Sequence, residues 1–211
     1  MIRVDTVPLY LKVPFLAYGY AAGALTYAAV RLIRKTCEIK VVGTVPKVND
    51  AVVYCLWHEN LAPYFVAFEG LKGQVWMNHP AWYMKPIHVL LELGGVSHLC
   101  LGSTGNSGRE ALAAVIAHLK AGRCTTIACD GPAGPLHDLK PGVWLMGRDG
   151  DVPIVPLGFS CSRALRLRGW DRKVIPLPFS EITIRYGEPI YANDAEMAAQ
   201  KEEIARRLSN A

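Results

Sequence analysis

AVVYCLWHEN, residues 51–60, opens with seven apolar residues and stops at a histidine. The run is too short for a typical helix and rich in β-branched and aromatic side chains. It does not alternate with polar residues, so it reads as a strand buried on both faces, as in a parallel sheet. Two further runs behave alike: VSHLCL (96–101) ends at Gly102-Ser103-Thr104, and CTTIAC (124–129) ends at Asp130-Gly131-Pro132. Helical patterns fall between them. Residues 60–71 and 83–93 read as helices, the second closing at Gly94-Gly95, because glycine suits a helix C-terminus. Residues 107–119 place Ala111, Leu112, Val115, Ile116 and Leu119 on one face, and Ala121-Gly122 ends the pattern. Further strands are expected at CEIKVVG (37–43), QVWMN (74–78) and VPIVPLGFS (152–160). A turn is expected at residues 46–50, a helix near 143–149, a β-rich stretch over 163–187 and a polar helix from Asn193. Strands alternating with helices imply a single α/β domain over 37–211, a mixed, mostly parallel sheet flanked by helices.

Ahead of that domain, residues 1–36 form a separate hydrophobic segment. VPFLAYGYAAGALTYAAV (13–30) carries no charge, Lys12 precedes it, and Arg31, Arg34 and Lys35 follow. Eighteen uncharged residues lie at the lower edge of what spans a bilayer. The tyrosines suit the headgroup zone, and the cations follow the apolar run, unlike the basic start of a cleaved signal. The expectation is a membrane-associating helix. Across the chain, 51% of residues are hydrophobic and 19% charged, with net charge +5. A modest basic excess without a recognition motif fits an anionic membrane or substrate and argues against nucleic acid. The six cysteines make no C-x-x-C pair and no zinc spacing, so they read as small core residues of a reducing compartment. That places the domain in the cytoplasm, and no metal is expected.

Three strands ending at polar residues imply one cleft, because ligands of α/β sheets bind outside the carboxyl ends of the strands. His58 at such an end can take a proton near neutral pH. Asp130 opens a rigid D-G-P-A-G-P turn whose amides can face a ligand. GSTGNSGRE (102–110) leads into a helix N-terminus and carries Arg109, which suits an anion. It is neither a Walker A loop nor G-x-G-x-x-G. His79 is an alternative base. Trp170-Asp171 and IPLPF (175–179) read as packing around a cleft or membrane rim, without chemistry.

The ordered set AVVYCLWHEN, LGSTGNSGREAL, CDGPAGPLHDLKPG, VPIVPLG and WDRKVIPLPFS resembles the lysophospholipid acyltransferase superfamily over roughly residues 38–192. It is most similar to a bacterial branch known as a domain of unknown function. The resemblance implies acyl transfer from acyl-CoA or acyl carrier protein to a hydroxyl or amine of a lysolipid or lipid acceptor. It implies no metal or cofactor, membrane lipids as partners, and a place at the cytoplasmic face of the inner membrane. His58 matches the catalytic histidine. Gly102, Ser103, Thr104 and Arg109 match the block that contacts the acceptor's anionic group. Asp130-Gly131-Pro132 match the acid-glycine-threonine block, and Pro153 to Pro156 the cleft-shaping block. One departure stands out. The family's histidine is followed five positions on by an aspartate that orients it, and here that position holds Pro63, or Met84 after His79. Glu59 or Asp130 is the expected replacement. The alternatives are an impaired lipid-binding protein of the same fold and a serine esterase or thioesterase using Ser103 or Ser107. No G-x-S-x-G elbow supports the last. The acyltransferase reading requires His58 and Asp130 to meet at the mouth of an apolar channel.

Overall fold

The computed structural model describes residues 2–47, 50–68 and 71–209. The chain is a single α/β domain with an apolar N-terminal helix. Its elements in order are α1 (Leu9–Thr36), β1 (Glu38–Val42), β2 (Val53–Leu56), α2 (Leu61–Ala67), β3 (Val75–Asn78), α3 (Lys85–Leu93), β4 (His98–Leu101) and α4 (Gly108–Lys120). There follow β5 (Thr125–Ala128), α5 (Gly142–Gly150), β6 (Ile154–Cys161), β7 (Ala164–Arg166), β8 (Val174–Pro176), β9 (Glu181–Tyr186) and α6 (Met197–Ser209). The turn expected at 46–50 includes residues 48 and 49, which lie outside the described residues. The helix expected over 60–71 is α2, and residues 69 and 70 likewise lie outside them.

Seven strands form one sheet in the order β1-β9-β6-β2-β5-β3-β4. All neighbours are parallel except β6 and β9. Strand β2 lies inside this sheet, and its four residues are all buried. Their alternation feeds both faces. Tyr54 and Leu56 join Tyr64, Phe68, Trp76 and Leu157 in one core. Val53 and Cys55 join Val115, Leu119, Met146 and Ile204 in the other. Of the α4 face read from the sequence, Ala111, Val115 and Leu119 are buried. This double coverage explains why the central strands read as unbroken apolar runs rather than as alternating ones. All six cysteines are free, with Cys37, Cys55 and Cys129 buried.

Helix α1 is 28 residues long and apolar enough to cross a membrane by length and composition, with 17% of its most apolar window buried. It exceeds the uncharged stretch at both ends. It packs on α3 through Gly19 and Gly23. A Cβ at Gly23 would stand 2.6 Å from Val89 Cβ and 2.7 Å from the Pro86 carbonyl, so only glycine allows this approach.

Candidate active site

Strands β2, β5, β3 and β4 run parallel, so the residues after each emerge on one edge of the sheet. His58 follows β2 and opens a 3₁₀ turn, His58–Asn60. Asp130 follows the neighbouring β5. Its buried carboxylate accepts the His58 backbone N–H through Oδ1 at 2.8 Å. Through Oδ2 it accepts the His137 backbone N–H at 3.0 Å. The two residues meet, 72 positions apart, but carboxylate to main chain. Asp130 ties its own loop to the start of the His58 turn and does not bond the imidazole. Gly131 lies close beside that ring. A Cβ there would come 3.1 Å from His58 Cδ2. Pro132 is exposed.

The imidazole is oriented from elsewhere. His58 Nδ1–H donates to Asp171 Oδ2 at 2.9 Å. Asp171 is buried and lies in the loop between β7 and β8. Lys173 pairs with the same carboxylate oxygen, and its Nζ stands 3.5 Å from His58 Nδ1. Trp170 packs against the ring, centroids 5.0 Å apart. Three residues of one short run, Trp170, Asp171 and Lys173, therefore fix one side of the histidine. Among the described residues Nε2 takes no hydrogen bond, and the side chain keeps 20% exposure. Burial pushes the His58 pKa below its ordinary value and Lys173 adds to this, against the opposing pull of Asp171. Burial works to raise the Asp171 carboxyl, but Lys173 and His58 outweigh it and hold it below the usual range. The pair is thus a neutral imidazole, protonated on Nδ1, beside an ionised carboxylate, with a free lone pair on Nε2. That is the arrangement of a general base.

Glu59 does not orient His58. Its carboxylate faces His137 Nε2 at 3.1 Å and Arg166 at 3.7 Å. Those residues, with Trp57, Phe159 and Val174, line an adjoining cleft of about 490 Å³.

The same edge of the sheet holds a second group. His79 follows β3, and its Nδ1 lies 3.1 Å from Ser103 Oγ, a buried hydroxyl at the end of β4. Burial lowers the His79 pKa. Ser107 sits at the N-cap position of α4 with φ of 54° and makes no side-chain capping bond, and Arg3 reaches its hydroxyl at 3.4 Å. Gly102 makes this loop close: a Cβ there would stand 2.3 Å from the Ser107 carbonyl. Thr104 and Arg109 are exposed. No hydrogen bond or ring contact joins this group to His58 among the described residues. The residues that sequence reasoning left without chemistry are Asp171 and Lys173. One signal pointed to the first: Asp171 is the lone acid of residues 161–180, among four arginines and a lysine.

No family model matches the chain. An uncharacterized protein of Rickettsia prowazekii (strain Madrid E), RP090, is 30% identical over 142 residues, a match spanning 67% of this chain and 65% of that protein. The crystal structure of the 1-acyl-sn-glycerophosphate acyltransferase PlsC from Thermotoga maritima superposes with a TM-score of 0.50. It covers 94% of this chain and 87% of that one at 17% identity. The two chains share a fold.

Proposed function

We propose that this protein transfers a fatty acyl group from acyl-CoA or acyl carrier protein to a hydroxyl or amine of a lysolipid or lipid acceptor. His58 acts as general base at the cytoplasmic face of the membrane. The observation that carries the reading is the 2.9 Å contact between His58 Nδ1 and Asp171 Oδ2, with Nε2 taking no hydrogen bond among the described residues. In this mechanism Nε2 accepts the proton as the acceptor oxygen or nitrogen attacks the thioester carbonyl. Asp171 stabilises the imidazolium that forms. The carbon–sulfur bond then breaks, and the proton passes from His58 to the departing thiolate. Lys173 keeps the carboxylate ionised. The shared fold with PlsC and the apolar α1 support a lipid substrate. The loop of Gly102, Ser103, Thr104 and Arg109 is the candidate contact for the acceptor's anionic group, with Gly131 and Pro132 beside the base. Asp130 serves as a support, since its carboxylate bonds main-chain N–H groups. An acid bonded to the imidazole, Asp171, favours this reading over an impaired lipid binder of the same fold.

Lipid mass spectrometry of cells with and without the gene tests the reading. One lysolipid accumulating on deletion is expected, and an unchanged lipid profile would count against it. The 3.1 Å contact between Ser103 Oγ and His79 Nδ1 favours a second reading, serine ester or thioester hydrolysis. A fluorophosphonate that labels Ser103 in the wild type but not in His79→Ala would select it.

A further inference from the structure

Strands β7 and β8 stand apart from the main sheet as a two-stranded hairpin, and its sequence is unusual for a surface. Opposed residues of an antiparallel pair share a face, and the face alternates along each strand. Leu165 lies opposite Ile175. Leu167 and Leu177 lie one residue past the ends of β7 and β8, where backbone bonds to Lys173 and Arg163 extend the pairing, so they fall on that same side. Val174 and Pro176 fall on the other side and are buried. The outward face therefore carries four aliphatic side chains, with Leu165 55% and Leu167 43% exposed, Leu177 exposed as well and Ile175 half-buried. Every residue from 162 to 170 is solvent-exposed. At the exit of the hairpin Phe179 is 75% exposed and adopts a φ of 62°, a conformation that bulky residues avoid. Its N–H donates to Thr36 Oγ1 at 3.2 Å, at the end of α1.

The charges are as one-sided as the apolar groups. Arg163, Arg168 and Arg172 are exposed on the hairpin and its tip, Arg166 turns to the other side toward Glu59, and the hairpin's lone acid, Asp171, is occupied by Lys173 and His58. The basic end of α1, with Arg31 and Lys35, meets the same place, because Cys37 Sγ lies 3.4 Å from Ser180 Oγ. Arginines interleaved with exposed leucines match a surface that is anionic outside and apolar just beneath.

We propose that the β7–β8 hairpin docks on anionic lipid, as a membrane contact separate from the apolar stretch of α1. Because Trp170 packs on His58, a docked hairpin holds the imidazole at the lipid surface. Vesicle binding reads this docking independently of acyl transfer. The full chain is floated with phosphatidylcholine vesicles and with vesicles containing phosphatidylglycerol. Helix α1 contributes to both. The double variant Arg163→Gln/Arg168→Gln is expected to weaken binding to phosphatidylglycerol vesicles by about fivefold per charge and to leave phosphatidylcholine binding unchanged. Leu165→Ser/Leu167→Ser is expected to weaken both. Lys120→Gln/Arg123→Gln, which removes two charges at the opposite edge of the sheet, should change neither. Circular dichroism melts at the wild-type temperature certify that each variant is folded. Wild-type affinity for phosphatidylglycerol vesicles in the hairpin variants would overturn the proposal, as would an equal loss in the distant charge control. Loss of a wild-type dimer in the hairpin variants, with vesicle binding intact, would assign the face to a second copy of the chain instead.

Discussion

Replacing Asp171 by asparagine keeps the shape of the loop and removes the charge that faces His58. The lost contact is a charge-assisted hydrogen bond at 2.9 Å, worth about 1.5–3 kcal/mol. That corresponds to about 10- to 150-fold in rate if the whole of it is felt as the imidazolium forms. The asparagine amide adds a second effect. Its N–H can donate to Nδ1 and drive the imidazole proton to Nε2, where it blocks the base, and such a tautomer error costs up to about 10⁴-fold. Asp171→Asn should therefore lose more activity than Asp171→Ala. The pH profile separates this from general damage. Asp171 pulls the His58 pKa up against burial and Lys173, so its removal lowers that pKa further. The acid limb of kcat/KM should move to lower pH while the plateau falls. The assay is transfer of labelled acyl groups from acyl-CoA to lysophospholipid across the pH range. A folded Asp171→Asn protein with a plateau within about twofold of wild type would refute the reasoning.

Lys173→Met removes a cation that depresses the His58 pKa, so the acid limb should shift to higher pH in the same assay; an unmoved limb would count against its role. Asp130→Ala leaves two backbone N–H groups without their acceptor. It should cost about 2–4 kcal/mol of stability by urea unfolding, with activity falling because the His58 turn loosens. His88 is buried, donates to the His79 carbonyl at 3.2 Å, and has its pKa pushed down to about 4 mainly by burial. The unfolded chain takes up that proton near pH 6.5, so stability should fall by about 3 kcal/mol as pH drops from about 6.5 to 4. His88→Gln should flatten that part of the urea-stability curve, and an equally steep curve would show that other groups carry it.

Much of the architecture could be read from residue order because the determining signals are local. The buried runs at 51–57, 96–101 and 124–129 end where β2, β4 and β5 deliver polar residues to one edge. The α4 face followed from helical spacing. The order of strands and the antiparallel entry of β9 beside β6 had no such signal, since both depend on pairing distant segments. The orienting acid was missed for the same reason. Asp171 is 113 positions from His58 and comes from a loop without periodicity. Glu59 is adjacent in sequence, but in a 3₁₀ turn successive side chains point about 120° apart, which sends it toward His137 instead. For Asp130 the residue type was readable but the bonded atom was not. A carboxylate can meet a histidine through its ring or its main chain, and only the folded loop decides.

The most direct test of the account is the rate of acyl transfer by purified His58→Gln protein beside the wild type, with matched melting curves. The account predicts transfer by the wild type to a lysolipid acceptor and a loss of at least about 10²-fold in the variant. A folded His58→Gln protein that transfers at the wild-type rate would contradict it.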